Sequence, residues 1–134
     1  MIHTQQTIES ITVDLLRGSS LVVTGGFYQS GDRPLNSVKN DCVVGLVSGT
    51  SEQIQVGYIN VNVYVPKLFG SDGVLYADRS RCSSFEQGLA DVVSELNAGG
   101  LVHYELFGMV KTFTEPTTKF SVVSAQLKFK FLND

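Results

Sequence analysis

Residues 27–66 read FYQSGDRPLNSVKNDCVVGLVSGTSEQIQVGYINVNVYVP, and this stretch decides the fold class of the chain. Positions 30–40 are rich in turn-forming residues and predict a loop. A short, continuously apolar strand is predicted from Cys42 to Val47, and a longer strand from Gln53 to Val65. In the longer strand apolar and polar residues alternate, which predicts a sheet with one buried and one accessible face. The stretch contains no catalytic or cofactor-binding motif.

Two amphipathic helices are predicted, one on either side of this stretch. In the first, apolar residues recur at helical spacing between Thr4, a possible N-cap, and Arg17, and Gly18 then stops the helix. The second begins with Ser83 or Ser84 as N-cap, because each is followed three residues later by Glu or Gln. The predicted apolar face of the second helix consists of Phe85, Leu89, Val92, Val93 and Leu96.

The remaining segments complete an α+β fold. Residues 21–28 predict one strand region with a bend or bulge at Gly25-Gly26, and residues 67–80 predict an irregular segment with apolar side chains. Leu101–Phe113 and Phe120–Phe131 predict a closing hairpin. The order α-β-β-β-α-β-β in one domain, residues 1–134, predicts an antiparallel sheet with both helices packed on one face.

The amino-acid composition limits the classes of protein to which this chain can belong. The 134 residues are 43% hydrophobic and 17% charged, which is typical of a globular domain whose surface is partly covered by partners. The net charge of −3 argues against sequence-specific nucleic-acid binding. No apolar run approaches the about 20 residues of a membrane helix. The first residues lack the pattern of a secretion signal, and two cysteines fit synthesis in the reducing cytoplasm.

Candidate chemical groups are few, and we predict no catalytic residue, no metal site and no cofactor. His103 and Glu105 lie on one face of a predicted strand and could bind a metal or act as acid and base, but no spacing supplies a third ligand. Asp32 and Asp41 flank the loop, where turn and cap roles are common. Cys42 is predicted to be a small buried hydrophobic residue.

Arg33 and the polar face of the long strand are better candidates for contacts. Pro34 restricts the backbone of Arg33, so the loop presents one arginine with limited freedom. Arg33 either pairs with a neighbouring carboxylate in its own chain or contacts another subunit, since arginine is favoured at interfaces. Tyr58, Asn60, Asn62 and Tyr64 form an uncharged polar face, which suits either a hydrated protein contact or an ordinary exposed strand.

One family resemblance is carried by the same stretch. The pattern Tyr28, then Asp32-Arg33-Pro34-Leu35-Asn36-Ser37, Asp41-Cys42-Val43-Val44, Gln53, Gly57 and Asn60-Val61-Asn62-Val63-Tyr64-Val65-Pro66 resembles phage tail-terminator, or tail-completion, neck proteins. The resemblance implies an N-terminal helix, a curved antiparallel sheet, a second helix and a closing hairpin. The local match covers residues 28–66. Members of the family often have Glu-Asp where this chain has Asn40-Asp41.

The resemblance implies a structural virion protein at the head–tail neck, assembled in the host cytoplasm. Such a protein forms a closed homo-oligomeric ring, commonly a hexamer, and its partners are the portal or adaptor proteins and the tail tube. We expect subunit contacts at Arg33, Asn36, Tyr58, Asn60, Asn62 and Tyr64, and axial contacts at Phe69 and Tyr76. Two alternatives stay open: a small ligand-binding or enzymatic domain around His103 and Glu105, and an interaction module of a contractile or secretion device.

Overall fold

The computed structural model describes residues 2–52 and 54–132 and contains two α-helices, one large sheet and one small hairpin. The elements, in chain order, are α1 Gln5–Arg17, β1 Phe27–Gln29, β2 Cys42–Gly49, β3 Ile54–Pro66, β4 Leu68–Phe69, β5 Leu75–Tyr76, α2 Arg79–Leu96, β6 Val102–Leu106, β7 Lys111–Thr114 and β8 Phe120–Leu132. A short 3₁₀ turn, Asn97–Gly99, follows α2. The predicted start of β3 at Gln53 lies outside the described residues.

The large sheet has the strand order β1-β2-β3-β8-β6, and β7 pairs with β8 next to β6. The predicted α+β class is confirmed, and every pair in this sheet is antiparallel except β1–β2. Parallel neighbours need a connection long enough to return the chain to its starting end. The loop at residues 30–41 supplies that return, so this segment is a crossover instead of a tight turn.

Both helices pack on the same face of the sheet, as predicted. Helix α1 lies against β1 and β2, whereas α2 lies against β8, β6 and β3. The core between them is built from alternate residues of the two long central strands, and the β3 members Ile59, Val61, Val63 and Val65 are all buried. This confirms the alternation predicted for β3. Within the described ranges, no helix is both long and apolar enough to cross a bilayer.

Two predicted boundaries were wrong. Helix α2 begins at Arg79 rather than near Ser83, because Asp78 is the N-cap and its side chain accepts a hydrogen bond from the Arg81 amide at 3.1 Å. The predicted strand Leu101–Phe113 is divided into β6 and β7, because Gly108 adopts a φ of 79° and interrupts the strand. Both halves still pair with β8, so the predicted closing hairpin is present with a break in its outer strand.

Two loop predictions also need correction. The segment 21–23 is not a strand: Leu21 is buried beneath α2, but Val22 next to it is 79% exposed. The segment 67–80 is not wholly irregular, since Leu68–Phe69 and Leu75–Tyr76 pair as a small antiparallel hairpin before α2 begins. Its apolar side chains point largely into solvent, which makes this hairpin a surface feature rather than part of the core.

Candidate functional site

The sheet face opposite the helices, here called the open face, carries the predicted polar side chains. Tyr58, Asn60, Asn62 and Tyr64 lie in alternate positions of β3, and all four are half-buried. The residues across from Asn60 and Asn62 on β2 and β8 are uncharged; Val43 and Ser124, for example, lie across from Asn62. The centre of the open face therefore presents uncharged amide, hydroxyl and phenol groups, of the kind found in hydrated protein contacts.

Arg33 lies at one end of the open face and is engaged within its own chain. Its Nε donates to Oδ2 of Asp41 at 3.0 Å, so the predicted pairing with a carboxylate is present. The guanidinium carbon also lies 4.1 Å from the ring centre of Tyr64 and 4.6 Å from that of Phe120. A cation held against two aromatic rings and a carboxylate is fixed in position. Arg33 thus joins the loop at residues 30–40 to β3 and β8.

Asp41 is the buried partner in this arrangement. Its residue surface is only 1% exposed, and its second carboxylate oxygen accepts from the amide of Gly26 at 3.1 Å. A side chain at Gly25 would collide with the same carboxylate and with the carbonyl oxygen of Asn40. The bend predicted at the glycine pair is present at Gly25, which also leaves room for Asp41. A side chain at Gly26 would instead collide with the ring of Tyr28. Asp32 keeps the predicted turn role, because its amide donates to the carbonyl of Gln29 at 3.1 Å.

The other predicted contact residues lie apart from this cluster. Asn36 is exposed in the loop at residues 30–40. Phe69 and Tyr76 are exposed on the β4–β5 hairpin, where the Tyr76 hydroxyl donates to Asp72 at 2.6 Å. That hydrogen bond raises the pKa of Tyr76 and, with a second one from the Val74 amide, lowers the pKa of Asp72. The structure therefore brings Arg33 and Tyr64 into contact but places Phe69 and Tyr76 on a separate element.

Sequence reasoning missed a second apolar surface at the edge of the sheet. Leu106, Phe107, Met109 and Phe113 are all exposed around the break between β6 and β7. The ring of Phe107 packs against Tyr58 of the open face, with ring centres 4.8 Å apart. A cleft of about 370 Å³, here called the β6–β7 groove, is lined by Asn60, Phe107, Gly108, Met109, Lys111, Phe113, Ser124 and Gln126. The sequence feature that could have indicated the groove is Gly108, which lies between the large apolar residues Phe107 and Met109.

The groups considered for metal binding or acid–base chemistry do not gather into a cluster. The residue directly across from His103 is Lys130, and the one across from Glu105 is Lys128. A lysine beside His103 disfavours a bound cation at that place. Among residues 2–52 and 54–132, no three His, Cys, Asp or Glu side chains are grouped as metal ligands. Cys42 is buried as predicted, and burial raises the pKa of its thiol to about 12.

Comparison with known proteins supplies no family for this chain. No protein-family model matches it, and no curated protein matches it. The likeness of residues 28–66 to phage neck proteins therefore stays a prediction from the sequence. The open face, the β4–β5 hairpin and the β6–β7 groove are the surfaces from which a function can be inferred.

Proposed function

We propose that this chain is a structural virion protein of a tailed phage, which forms a ring of identical subunits at the head–tail neck and terminates or joins the tail. The observation that carries the proposal is the distribution of exposed apolar side chains. Fifteen large apolar residues are exposed in the described ranges, and eight of them belong to the β4–β5 hairpin and the β6–β7 edge. Exposed apolar side chains that are concentrated on two short elements mark protein contacts rather than bulk solvent.

Two unlike surfaces on one chain suit a ring. A closed ring requires a heterologous interface, in which one patch of a subunit meets a different patch of its neighbour. A twofold dimer needs only one self-complementary patch. The hairpin is a narrow two-stranded ribbon with exposed apolar side chains, whereas the β6–β7 edge presents a groove. Their difference in shape favours association from subunit to subunit around a rotation axis.

The open face provides a further surface for other neck and tail proteins. The row of Tyr58, Asn60, Asn62 and Tyr64 on β3 carries no charged side chain, and Lys128 lies across from Tyr58 at one end of it. Depletion of charge is typical of the centre of a protein interface. Tyrosine is enriched at protein interfaces because it adds contact area and a polar group at little entropic cost. We assign the part of this face outside the β6–β7 groove, which Asn60 and Ser124 also line, to contacts with the portal or adaptor proteins or with the tail tube. The sequence had led us to expect subunit contacts along this row instead.

The resemblance of residues 28–66 supports the same function and supplies the expected sixfold symmetry. The helix, sheet, helix and closing hairpin of this chain agree in order with the arrangement which that resemblance implies. A module from a contractile or secretion device would use the same ring contacts, and it differs only in the particle that it joins. The ligand-binding alternative is centred on His103 and Glu105, whose lysine neighbours do not favour it.

A labelling experiment tests the proposal. Gold-labelled protein is mixed with isolated phage tails that lack their terminator, and the complexes are viewed by electron microscopy. We expect label at one end of each tail and none along its length, while an unrelated labelled protein of similar mass leaves both ends bare. Label spread along the tube, or no label at all, would contradict the neck assignment. Zinc-dependent thermal stabilisation that is lost in His103→Ala would instead favour the ligand-binding alternative.

A further inference from the structure

We propose that Phe69 of one copy inserts into the β6–β7 groove of a neighbouring copy, with Asp72 at the tip of the β4–β5 hairpin facing Lys111 at the groove. This inference rests on the proposed ring and assigns its subunit contact to particular side chains. It differs from the contacts expected from the sequence, in which Phe69 was to make axial contacts and Asn60 was the one groove residue among the expected subunit contacts.

The hairpin is suited to be the inserted element. Phe69 is 76% exposed near its tip, flanked by the exposed apolar side chains of Leu68, Val74 and Tyr76. The tip is held by the hydrogen bond from Tyr76 to Asp72 and by the Gly70 amide, which donates to the carbonyl of Val74 at 2.8 Å. A preorganised element loses little conformational entropy when it binds. Phe69 is therefore presented to solvent on a fixed support.

The groove is suited to receive an aromatic ring. Its volume of about 370 Å³ exceeds that of one aromatic side chain, and Phe107, Met109 and Phe113 supply apolar walls. Phe107 is braced by Tyr58 on one side, and its amide donates to the carbonyl of Gln126 at 2.8 Å. Aromatic rings and methionine sulfur both make favourable contacts with an inserted phenyl ring. An aromatic anchor in such a pocket is the usual centre of an interface.

Charge is complementary between the two elements. Asp72 is the one ionisable carboxylate between residues 68 and 77, and its hydrogen bonds from Tyr76 and Val74 hold its pKa below the ordinary value, so it is an anion at neutral pH. Lys111 is exposed and lines the groove. The lysine on the adjacent strand, Lys128, already lies across from Glu105. Lys111 is thus the cation left to meet an incoming acidic tip.

The occupant that fits best is a second copy of the same chain. Each chain carries one hairpin and one groove, so a hairpin-to-groove contact leaves one free hairpin and one free groove for the next subunit. Repetition of this contact gives a ring if the rotation closes. Hairpins and grooves are therefore always present in equal numbers in a sample of this chain. A partner of another sequence would not ensure this ratio.

Two single variants and their mixture test the contact. Phe69→Glu places a charge on the apolar hairpin and leaves the groove unchanged. Met109→Glu places a charge in the groove and leaves the hairpin unchanged. Each variant alone should associate at least about tenfold more weakly than the wild type. An equimolar mixture should form a heterodimer and stop there, because it contains one intact contact. Val22→Glu, an equally exposed apolar position away from both elements, is the matched control and should assemble normally.

The native mass of each sample is measured under the conditions in which the wild type forms rings, either alone or with tails added to start assembly. Rings formed by Phe69→Glu or by Met109→Glu, or a mixture that gives no heterodimer, overturn the assigned contact and leave the ring proposal standing. A wild-type chain that never self-associates contradicts both. Circular dichroism and thermal melts establish that the variants are folded, and the milder pair Phe69→Ala and Met109→Ala replaces any variant that is not.

Discussion

Arg33 and Asp41 form an ion pair of 3.0 Å in which the two side chains are only 18% and 1% exposed. Two further ion pairs, Arg17–Asp14 and Arg81–Asp78, each include an arginine that is more than half exposed. The buried pair connects the loop at residues 30–40 to the end of the open face through Tyr64 and Phe120. Arg33 therefore has a structural role in its own subunit, whatever it contacts in an assembly.

Replacement of Arg33 by alanine should lower the free energy of unfolding by about 3 kcal/mol, because a buried carboxylate loses its cationic partner. Urea denaturation measures the change. The double variant Arg33→Met, Asp41→Asn should recover more than half of that loss, since it leaves no unpaired charge. An Arg33→Ala protein as stable as the wild type would show that the pair contributes nothing to folding.

Gly25→Ala should destabilise the protein by about 2 kcal/mol, because the new methyl group collides with the carboxylate of Asp41 and with the backbone of Asn40. Gly45→Ala is the matched control: its methyl group would lie 3.6 Å from Cβ of Ser30, an ordinary contact. In thermal melts, Gly25→Ala should have a clearly lower melting temperature than Gly45→Ala. Equal melting temperatures would mean that Asp41 moves aside without cost.

Glu9 should make the fold sensitive to acid. It is a buried residue of α1 whose carboxylate accepts from the Leu46 amide at 2.9 Å and from Ser30 and Gln5 at 3.1 Å. Burial by itself raises the pKa of a carboxyl, but these hydrogen bonds outweigh it and hold the pKa below the ordinary 4.5. Because the folded-state pKa is depressed, the stabilisation is present above pH 4.5 and is lost as the pH falls through the folded value.

Glu9→Gln tests this by removing the titrating group with little change of shape. At pH 7 the variant should be less stable by about 1–2 kcal/mol, since a neutral amide accepts these hydrogen bonds less well. Urea titrations between pH 6 and pH 3 should show the gap between variant and wild type closing as the pH falls. A gap of constant size across that range would contradict the role assigned to Glu9.

Tyr104 should make the fold sensitive to alkali. Its hydroxyl lies 2.7 Å from that of Thr12, which itself donates to the carbonyl of Ile8, so Tyr104 is the donor in this pair. Burial raises the pKa of Tyr104 from 10.0 to about 12. Since the folded-state pKa is raised, the contribution is complete below pH 10 and is lost as the pH rises through about 12.

Tyr104→Phe keeps the ring in the core but removes the hydroxyl. We expect it to be about 1 kcal/mol less stable than the wild type at pH 7, the usual net value of a buried hydrogen bond. Chemical denaturation at pH 7 and at pH 11 gives the comparison, and the difference should shrink at the higher pH. An unchanged difference would show that the pKa of Tyr104 is the same in the folded and the unfolded state, which contradicts the raised folded-state pKa.

The elements that could be predicted from the sequence are those whose pattern is local. The alternation of β3 specifies which face is buried, and Thr4 and Gly18 bracket α1. The start of α2 could not be predicted by capping rules alone, because Asp78 and Ser83 are both good N-cap residues. Tertiary packing decides between them: Cys82 in the first turn is buried, so the helix extends back to Asp78.

The site depends on contacts that are distant in sequence, which limits what the sequence can predict. Arg33 was expected to pair with a neighbouring carboxylate. That this carboxylate is Asp41 depends on the space left by Gly25 and on the contact of Arg33 with Phe120 of the last strand. The β6–β7 groove exists because Gly108 breaks a strand that alternation alone would continue. The Arg33–Asp41 contact has no signature within a window of a few residues, and the local signal of the groove is limited to Gly108 between Phe107 and Met109.

The native mass of the purified chain is the sharpest test of the proposed ring. We expect one dominant closed species at micromolar concentration, alone or in the presence of tails, with a mass of six times the 14.6 kDa of one chain. Negative-stain images of the same sample should show rings with a central opening. A chain that stays monomeric at every concentration, and also with tails present, would contradict the ring and the neck function with it.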